Sequence, residues 1–267
     1  MPNYTTPSLE KLLGSNYKWW YALTYNINLS LAYLFPSFFV IIRDFLPLMI
    51  SLIIYGTFLE SSEYLLYFFI ANIFFKTCSV VWDVSWDIRN DVKNGYLSTK
   101  LLRPSSVIGQ YLVITIGANF YSLIVNYILL SFILFSNKLP LWFNQNILPC
   151  LCLCFLGIWI YLSFEILIGS IVFWVNENNT IIESRAVLLG FLSGSLVLLD
   201  TTKFTNSFIF LPFSFAVYHP TQIYLGKYTQ LQTLYVFLGG LAWCLVLYFL
   251  AKLVFKLGLK RYESVGL

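Results

Sequence analysis

Charged side chains are scarce in this sequence. Asp, Glu, Lys and Arg make up 10% of its 267 residues, against roughly 25% in average soluble domains. So little charge excludes a chain that wraps its own core in a solvated surface. Histidine occurs once, at His219, which excludes a metal site built from several histidines. No repeat of fixed period and no low-complexity tail interrupts the chain. The opening "MPNYTTPSLEKLLGS" lacks the basic start and apolar core of a cleavable signal, so insertion is expected to depend on the later apolar runs.

Apolar residues dominate instead, at 59%, with 19% aromatic and a mean hydropathy of +0.76. A helix needs about 20 apolar residues to cross a bilayer, and six windows reach that length: 41–59, 64–82, 107–135, 147–175, 181–199 and 232–255. The expected class is therefore an all-α integral membrane protein with six transmembrane helices, one transmembrane domain over 1–267. The stretch 16–38 mixes Trp and Tyr with Asn and Lys, as interfacial helices do. Between the fifth and sixth windows, Ser207 to Val217 is too short to cross and too apolar for a free loop. A re-entrant external hairpin over 200–220 is predicted there, because it satisfies the backbone within protein.

Lys and Arg set the orientation. With the N-terminus cytoplasmic, twelve fall on the inner side: Lys11, Lys18, Arg43, Arg89, Lys93, Lys100, Arg103, Arg185, Lys252, Lys256, Lys260 and Arg261. Three, Lys138, Lys203 and Lys227, fall outside, and Lys76 lies within a span. The bias puts both termini in the cytoplasm. The five cysteines all sit in apolar runs. In "CLCLC" only Cys150 and Cys154 share a helix face, so small buried hydrophobes are expected rather than a metal cluster.

One polar island breaks the apolar pattern. From Asp83 onward, Asp83, Asp87 and Asp91 recur every fourth residue, as do Val84, Ile88 and Val92, with Arg89 and Lys93 in a third row. On a helix these become acidic, apolar and basic stripes. The helix is predicted to stop at Asn94-Gly95. A second short piece, Tyr96 to Leu102, is expected to point Leu97, Leu101 and Leu102 one way, with Pro104 closing it and Ser105 or Ser106 capping the next span. A solvated loop obeying the charge bias is one reading, and an amphipathic element offered to a cytoplasmic partner is the other. Within the spans, Lys76 and Glu165 are ionisable groups in an apolar setting. They could pair with each other, Lys76 could meet an anionic substrate group, or Lys76 could snorkel along its span or both could support packing. Arg43-Asp44 reads as an interface anchor, and His219 as turn chemistry.

The segment "NGYLSTKLLRPSS" resembles the G-x-L-x-x-x-L-L-basic-Pro signature of ATP-binding-cassette type-2 permeases. "FLSGSLVLLDTTKF" followed by "LPFSFAVYHPTQIYLGK" resembles that family's exit from its fifth span and its Pro-Phe and Tyr-Pro elements. The closing "GLKRYESVG" is similar to its Gly-basic-Tyr-Glu ending. The sequence departs at Ser98, where the family often has Asp, and at Gly194-Ser195-Leu196-Val197, where Pro often follows the glycine.

The resemblance implies a six-span permease subunit, working as a homo- or heterodimer in the bacterial cytoplasmic membrane. Its partner would be a separate cytoplasmic ATPase carrying ATP and Mg. This chain has no G-x-x-x-x-G-K-[ST] loop to hold a nucleotide, and no cofactor or nucleic acid is expected on it. Residues 83–106 would be the coupling element, with Leu97, Leu101 and Leu102 as anchors. Asp87, Asp91, Lys93 and Arg103 would be its polar contacts, and Gly95 and Pro104 would set its geometry. Substrate would pass along the dimer interface, and the external hairpin, with Asp200, Pro212, Phe213 and Pro220, would close the outer end. Export of an amphipathic, lipid-like, peptide or drug cargo fits such a family. An integral-membrane enzyme would need clustered catalytic groups, and a secondary transporter or channel tends to show repeats or broken helices. Neither pattern is evident.

Overall fold

A computed structural model describes residues 17–32, 62–136, 147–175, 178–199 and 207–262. The expected first span, 41–59, and Asp200 of the expected hairpin lie outside these residues. The described chain is helical, with no strand among these residues. The helices are α1 (Tyr17–Ala32), α2 (Ser62–Cys78), α3 (Asp83–Lys93), α4 (Leu97–Leu101) and α5 (Val107–Ser136). They continue with α6 (Ile147–Ser170), α7 (Asn179–Ser193), α8 (Tyr218–Tyr224) and α9 (Gln230–Leu259).

Among the described residues, three stretches are long and apolar enough to cross a membrane, Leu66–Lys93, Leu148–Phe173 and Gln230–Leu259, with a further apolar stretch at Val107–Phe120 of α5. The first differs from the expected 64–82. α2 does not end in a loop but runs through a 3₁₀ turn, Ser79–Val81, and the helical Trp82 straight into α3. At 1.5 Å per residue, 28 residues measure about 42 Å, longer than the roughly 30 Å hydrocarbon layer. The polar α3 is thus a rigid extension of an apolar helix.

The expected fifth span, 181–199, also differs. α7 ends at Ser193, because Gly194 takes a left-handed φ of 86°. The Tyr67 hydroxyl donates to the Gly194 carbonyl at 2.9 Å, holding the break against α2. Fifteen residues make about 22 Å, less than the roughly 30 Å hydrocarbon layer, and the chain continues as irregular backbone to Leu199, with Gly194, Ser195 and Leu199 buried and Leu196 exposed.

α6 is the spine of the packing, in contact with α2, α3, α8 and α9. Its neighbours form successive layers. Cys150 meets the Pro220 carbonyl. A Cβ on Gly157 would lie 2.8 Å from Cys78 Sγ and 3.1 Å from Ala216 Cα. Tyr161 and Phe164 stack edge-on against Phe213. A Cβ on Gly169 would press on Ser85 and Ile88, and Phe173 packs on Gly258 and Tyr262.

Since 78 faces 157 and 88 faces 169, the α2–α3 rod runs parallel to α6. Trp159 against Tyr248 and Phe173 against Phe255 make α9 parallel to it too. α5 and α7 run the opposite way, because Asn119 meets Asp83 while Tyr111 meets Asp91, and Arg185 meets Trp82 while Tyr67 meets Gly194. This alternation is what short connections between successive helices produce.

α1 runs in the same direction as α5, in contact from Trp19 against Gly109 to Asn26 against Gly117. Both glycines let the helices approach closely. α1 therefore leans along α5 rather than lying free of it.

Candidate functional site

The polar island folds into a compact joint. α3 ends where expected, with Asn94 as its cap and Gly95 at a φ of 77°. The chain then turns into the five-residue α4. Pro104 follows, and the Ser106 hydroxyl accepts from the Gly109 N–H at 3.3 Å, capping α5.

The three stripes of α3 face different neighbours. Val84 and Ile88 are fully buried, against α6 in the case of Ile88. The acidic stripe sinks along the helix, with Asp83 exposed, Asp87 half-buried and Asp91 buried. It faces α5, whose Tyr111, Thr115 and Asn119 recur at the same four-residue spacing. Asn119 Nδ2 donates to Asp83 Oδ2 at 2.9 Å and to the Val80 carbonyl at 3.1 Å.

Asp91 takes a hydrogen bond from the Tyr111 hydroxyl at 2.7 Å and an ion pair from Lys100 Nζ at 2.5 Å, both on Oδ2. Lys100 also lies 4.0 Å from the centre of the Tyr111 ring. Its backbone carbonyl accepts from Gln110 Nε2, which donates to the Ser105 carbonyl as well. α3, α4 and the start of α5 are thereby tied into one unit. A buried carboxylate needs such partners, because its desolvation otherwise costs several kcal/mol.

The predicted anchors separate. Leu97 is completely buried and belongs to the core, so it offers nothing to a partner. Leu101 and Leu102 are 42% and 86% exposed, with Tyr96 exposed beside them. A five-residue helix cannot hold positions 97 and 101 on one free face while its first turn is pressed inward. Asp87 and Lys93 are half-buried on α3, and Arg103 and Pro104 are exposed at the end of the joint.

A second polar cluster sits one layer away. Glu165, fully buried on α6, pairs with Arg185 of α7 at 2.7 Å. Arg185 also donates to the Trp82 carbonyl at 2.6 Å and to the Ile182 carbonyl within its own helix. Its guanidinium lies 5.7 Å from the Trp82 ring. Glu165 is thus paired with Arg185 rather than with Lys76, which sits half-buried in the last turn of α2. Arg185 is not the loop cation that the charge distribution suggested. It clasps α6 and α7 to the point where α2 passes into α3. Arg185 four residues after Ile181 on an otherwise apolar face was the available signal, but nothing in the sequence paired it with Glu165.

The segment 207–224 descends and returns between α2, α6 and α9. Phe208 stacks on Phe191, and the Phe210 carbonyl accepts from Trp243 of α9. Phe213 reaches Phe164, Ala216 passes Gly157, and Pro220 returns to Cys150. Cys150 and Phe164 are fourteen positions apart on α6, about 21 Å along its axis. Pro212, Phe213 and Pro220 are all buried.

His219 is buried too, with Nε2 3.0 Å from the Ile209 carbonyl and Nδ1 3.0 Å from the Tyr228 hydroxyl. The carbonyl can only accept, so Nε2 carries the proton and Nδ1 accepts from Tyr228. Burial pulls its pKa down to about 4. Of the cysteines, Cys150 and Cys154 are buried and Cys152 is exposed, as the helical spacing required.

No curated protein matches the chain. The model for the ABC-2 family transporter protein matches residues 52–266, a range that holds the joint, the Glu165–Arg185 clasp and the buried loop. With most of its length matched, and three helices among the described residues suited to a bilayer, this chain is a membrane protein that belongs to the ABC-2 transporter family.

Proposed function

We propose that the chain is the permease subunit of an ABC exporter, powered by a separate ATPase that binds ATP and Mg. The observation that carries this reading is the joint. An exposed apolar tip, Tyr96, Leu101 and Leu102, stands on a helix that continues into an apolar rod and is locked to the next helix through Asp91. A push on such a tip moves the two helices together, because neither the rod nor the lock can absorb it. Leu101 and Leu102 are the apolar contacts to the ATPase, Asp87 and Lys93 are polar contacts, and Gly95 and Pro104 fix the bend. Asp91 and Leu97 support the tip from within, and Arg103 turns to the cleft beside α1.

In this reading the joint is cytoplasmic, both termini are cytoplasmic, and the chain sits in a bacterial cytoplasmic membrane. Removing Arg185 from the inner set still leaves eleven cations against three, so the bias persists. In this reading α7 and the irregular backbone through Leu199 together make the fifth of six crossings, which leaves 200–220 on the outer side as a re-entrant hairpin that closes the path, with Asp200 at its entry and Pro212, Phe213 and Pro220 in its body. A second permease chain, the same or different, completes the path for an amphipathic, lipid-like, peptide or drug cargo. Glu165 works as a structural clasp, and Lys76 supports packing near the inner end of α2.

The test is copurification with the ATPase subunit. The double variant Leu101→Asp and Leu102→Asp alters only exposed side chains, so the permease should accumulate normally and fail to capture the ATPase. Normal capture would remove the joint as the contact.

A further inference from the structure

Beside the joint lies a cleft of about 760 Å³ between α1 and the start of α5. Trp19, Tyr25 and Ile114 give it apolar walls, and Arg103 stands at its rim. The Arg103 side chain has no ion pair or hydrogen bond among the described residues. The backbone that carries it is held in place, because buried Gln110 ties the carbonyls of Lys100 and Ser105 on either side of it. The cleft therefore presents one unneutralised guanidinium above an aromatic and aliphatic wall. Asp83, Asp87 and Asp91 offset most of the charge of Arg89, Lys93 and Lys100 on the same joint, Lys100 through its ion pair with Asp91, so the charge offered to the cleft is that of Arg103, the one charged residue among those lining it. Guanidinium groups bind phosphate through paired, charge-assisted hydrogen bonds. Trp and Tyr walls suit the headgroup level of a bilayer, where one end of the ring is apolar and the other wet.

We propose that this cleft seats an anionic glycerophospholipid of the cytoplasmic leaflet. Its phosphodiester sits on Arg103 and its upper acyl chains lie against Trp19, Tyr25 and Ile114. The bound lipid fills the gap between α1 and the start of α5, apart from the exposed tip that meets the ATPase. This rests on the reading that the joint is cytoplasmic. The cleft is the occupant's site whether or not the ATPase is bound.

The experiment uses the purified full-length permease, delipidated in detergent and titrated with phosphatidylglycerol or phosphatidylcholine, with retained lipid read by native mass spectrometry. The wild-type chain should retain one phosphatidylglycerol and little phosphatidylcholine. Arg103→Gln should weaken that retention roughly tenfold, the loss of about 1.4 kcal/mol, and Arg103→Lys should restore part of it. Millimolar inorganic phosphate should not displace the lipid, because the acyl chains supply binding that free phosphate lacks.

Equal retention of both lipids, or unchanged retention by Arg103→Gln, overturns the proposal. Displacement by inorganic phosphate also overturns it. ATPase capture by Arg103→Gln should stay normal, which separates this site from the coupling reading. If that variant loses the ATPase while keeping the lipid, Arg103 belongs to the partner contact and the lipid site is refuted.

Discussion

The Tyr111 hydroxyl donates a 2.7 Å hydrogen bond to Asp91 Oδ2, joining the start of α5 to the end of α3 across twenty residues of sequence. Lys100 meets the same oxygen. The three groups convert a polar island into a fixed joint at the end of an apolar rod. Hydrogen bonds to charged groups contribute about 1.5–3 kcal/mol each, so Tyr111→Phe should lower the thermal stability of the purified permease by that order. The ATPase should still bind, because the exposed tip is intact. Transport per ATP should fall, since the push is no longer passed to α5. Full transport efficiency in Tyr111→Phe would show that the lock does not transmit movement.

The clasp should respond to which partner is removed. Replacing Arg185 with Met leaves Glu165 buried and uncompensated, a change that costs about 3–5 kcal/mol where such pairs have been broken. Replacing both with apolar residues, Arg185→Met with Glu165→Met, should recover much of that loss. Measured by detergent unfolding, a double variant no more stable than Arg185→Met alone would mean that the pair does not act as a unit.

Gly157 faces Cys78 on one side and the Ala216 backbone on the other. A valine there has no flexible neighbour to displace, and overpacking of this kind costs about 1–3 kcal/mol. Gly157→Val should separate the 207–224 segment from α6 and raise protease cleavage in that segment. At Gly226, where nothing lies within 4 Å of an added Cβ, the cost is backbone strain alone, so Gly226→Asn should be milder. Comparable proteolysis of the two variants would argue against close packing at Gly157.

His219 gives the buried loop a pH dependence with a defined sign. Its folded-state pKa, about 4, lies below the ordinary value near 6.5. The unfolded chain therefore binds the extra proton first. The contribution is fully present above about pH 6.5 and is lost as pH falls toward 4. The thermal midpoint should drop over that window. In His219→Gln, which can still donate to Ile209, the drop should be smaller. An unchanged pH profile in that variant would assign the drop to other groups.

The polar joint was legible because its stripes recur at a helical spacing and its stop, Asn94-Gly95, uses a residue that tolerates a left-handed turn. The direction of those stripes was not. Asp91 looks like a surface charge until Tyr111, from a helix read as a plain apolar span, is brought opposite it, and Asp83 stays at the surface but is met there by Asn119 of the same helix. Leu97 was misplaced for a related reason: four-residue spacing gives a face but not whether water or core lies beyond it. The apolar windows marked most helices, yet hydropathy cannot register Gly194, which ends α7 early although the apolar run continues to Leu199. The Glu165–Arg185 pair joins different helices, and periodicity within one helix carries no information about that.

The most direct test of the central claim places a photo-crosslinking phenylalanine derivative at position 102, the most exposed apolar residue of the joint. Irradiation in membranes containing the ATPase should give a covalent adduct between the permease and that subunit. The same probe at position 97, which is buried, should give none. An adduct from 97 but not from 102, or none with the ATPase from either position, would contradict the assignment of this joint as the place where the permease is pushed.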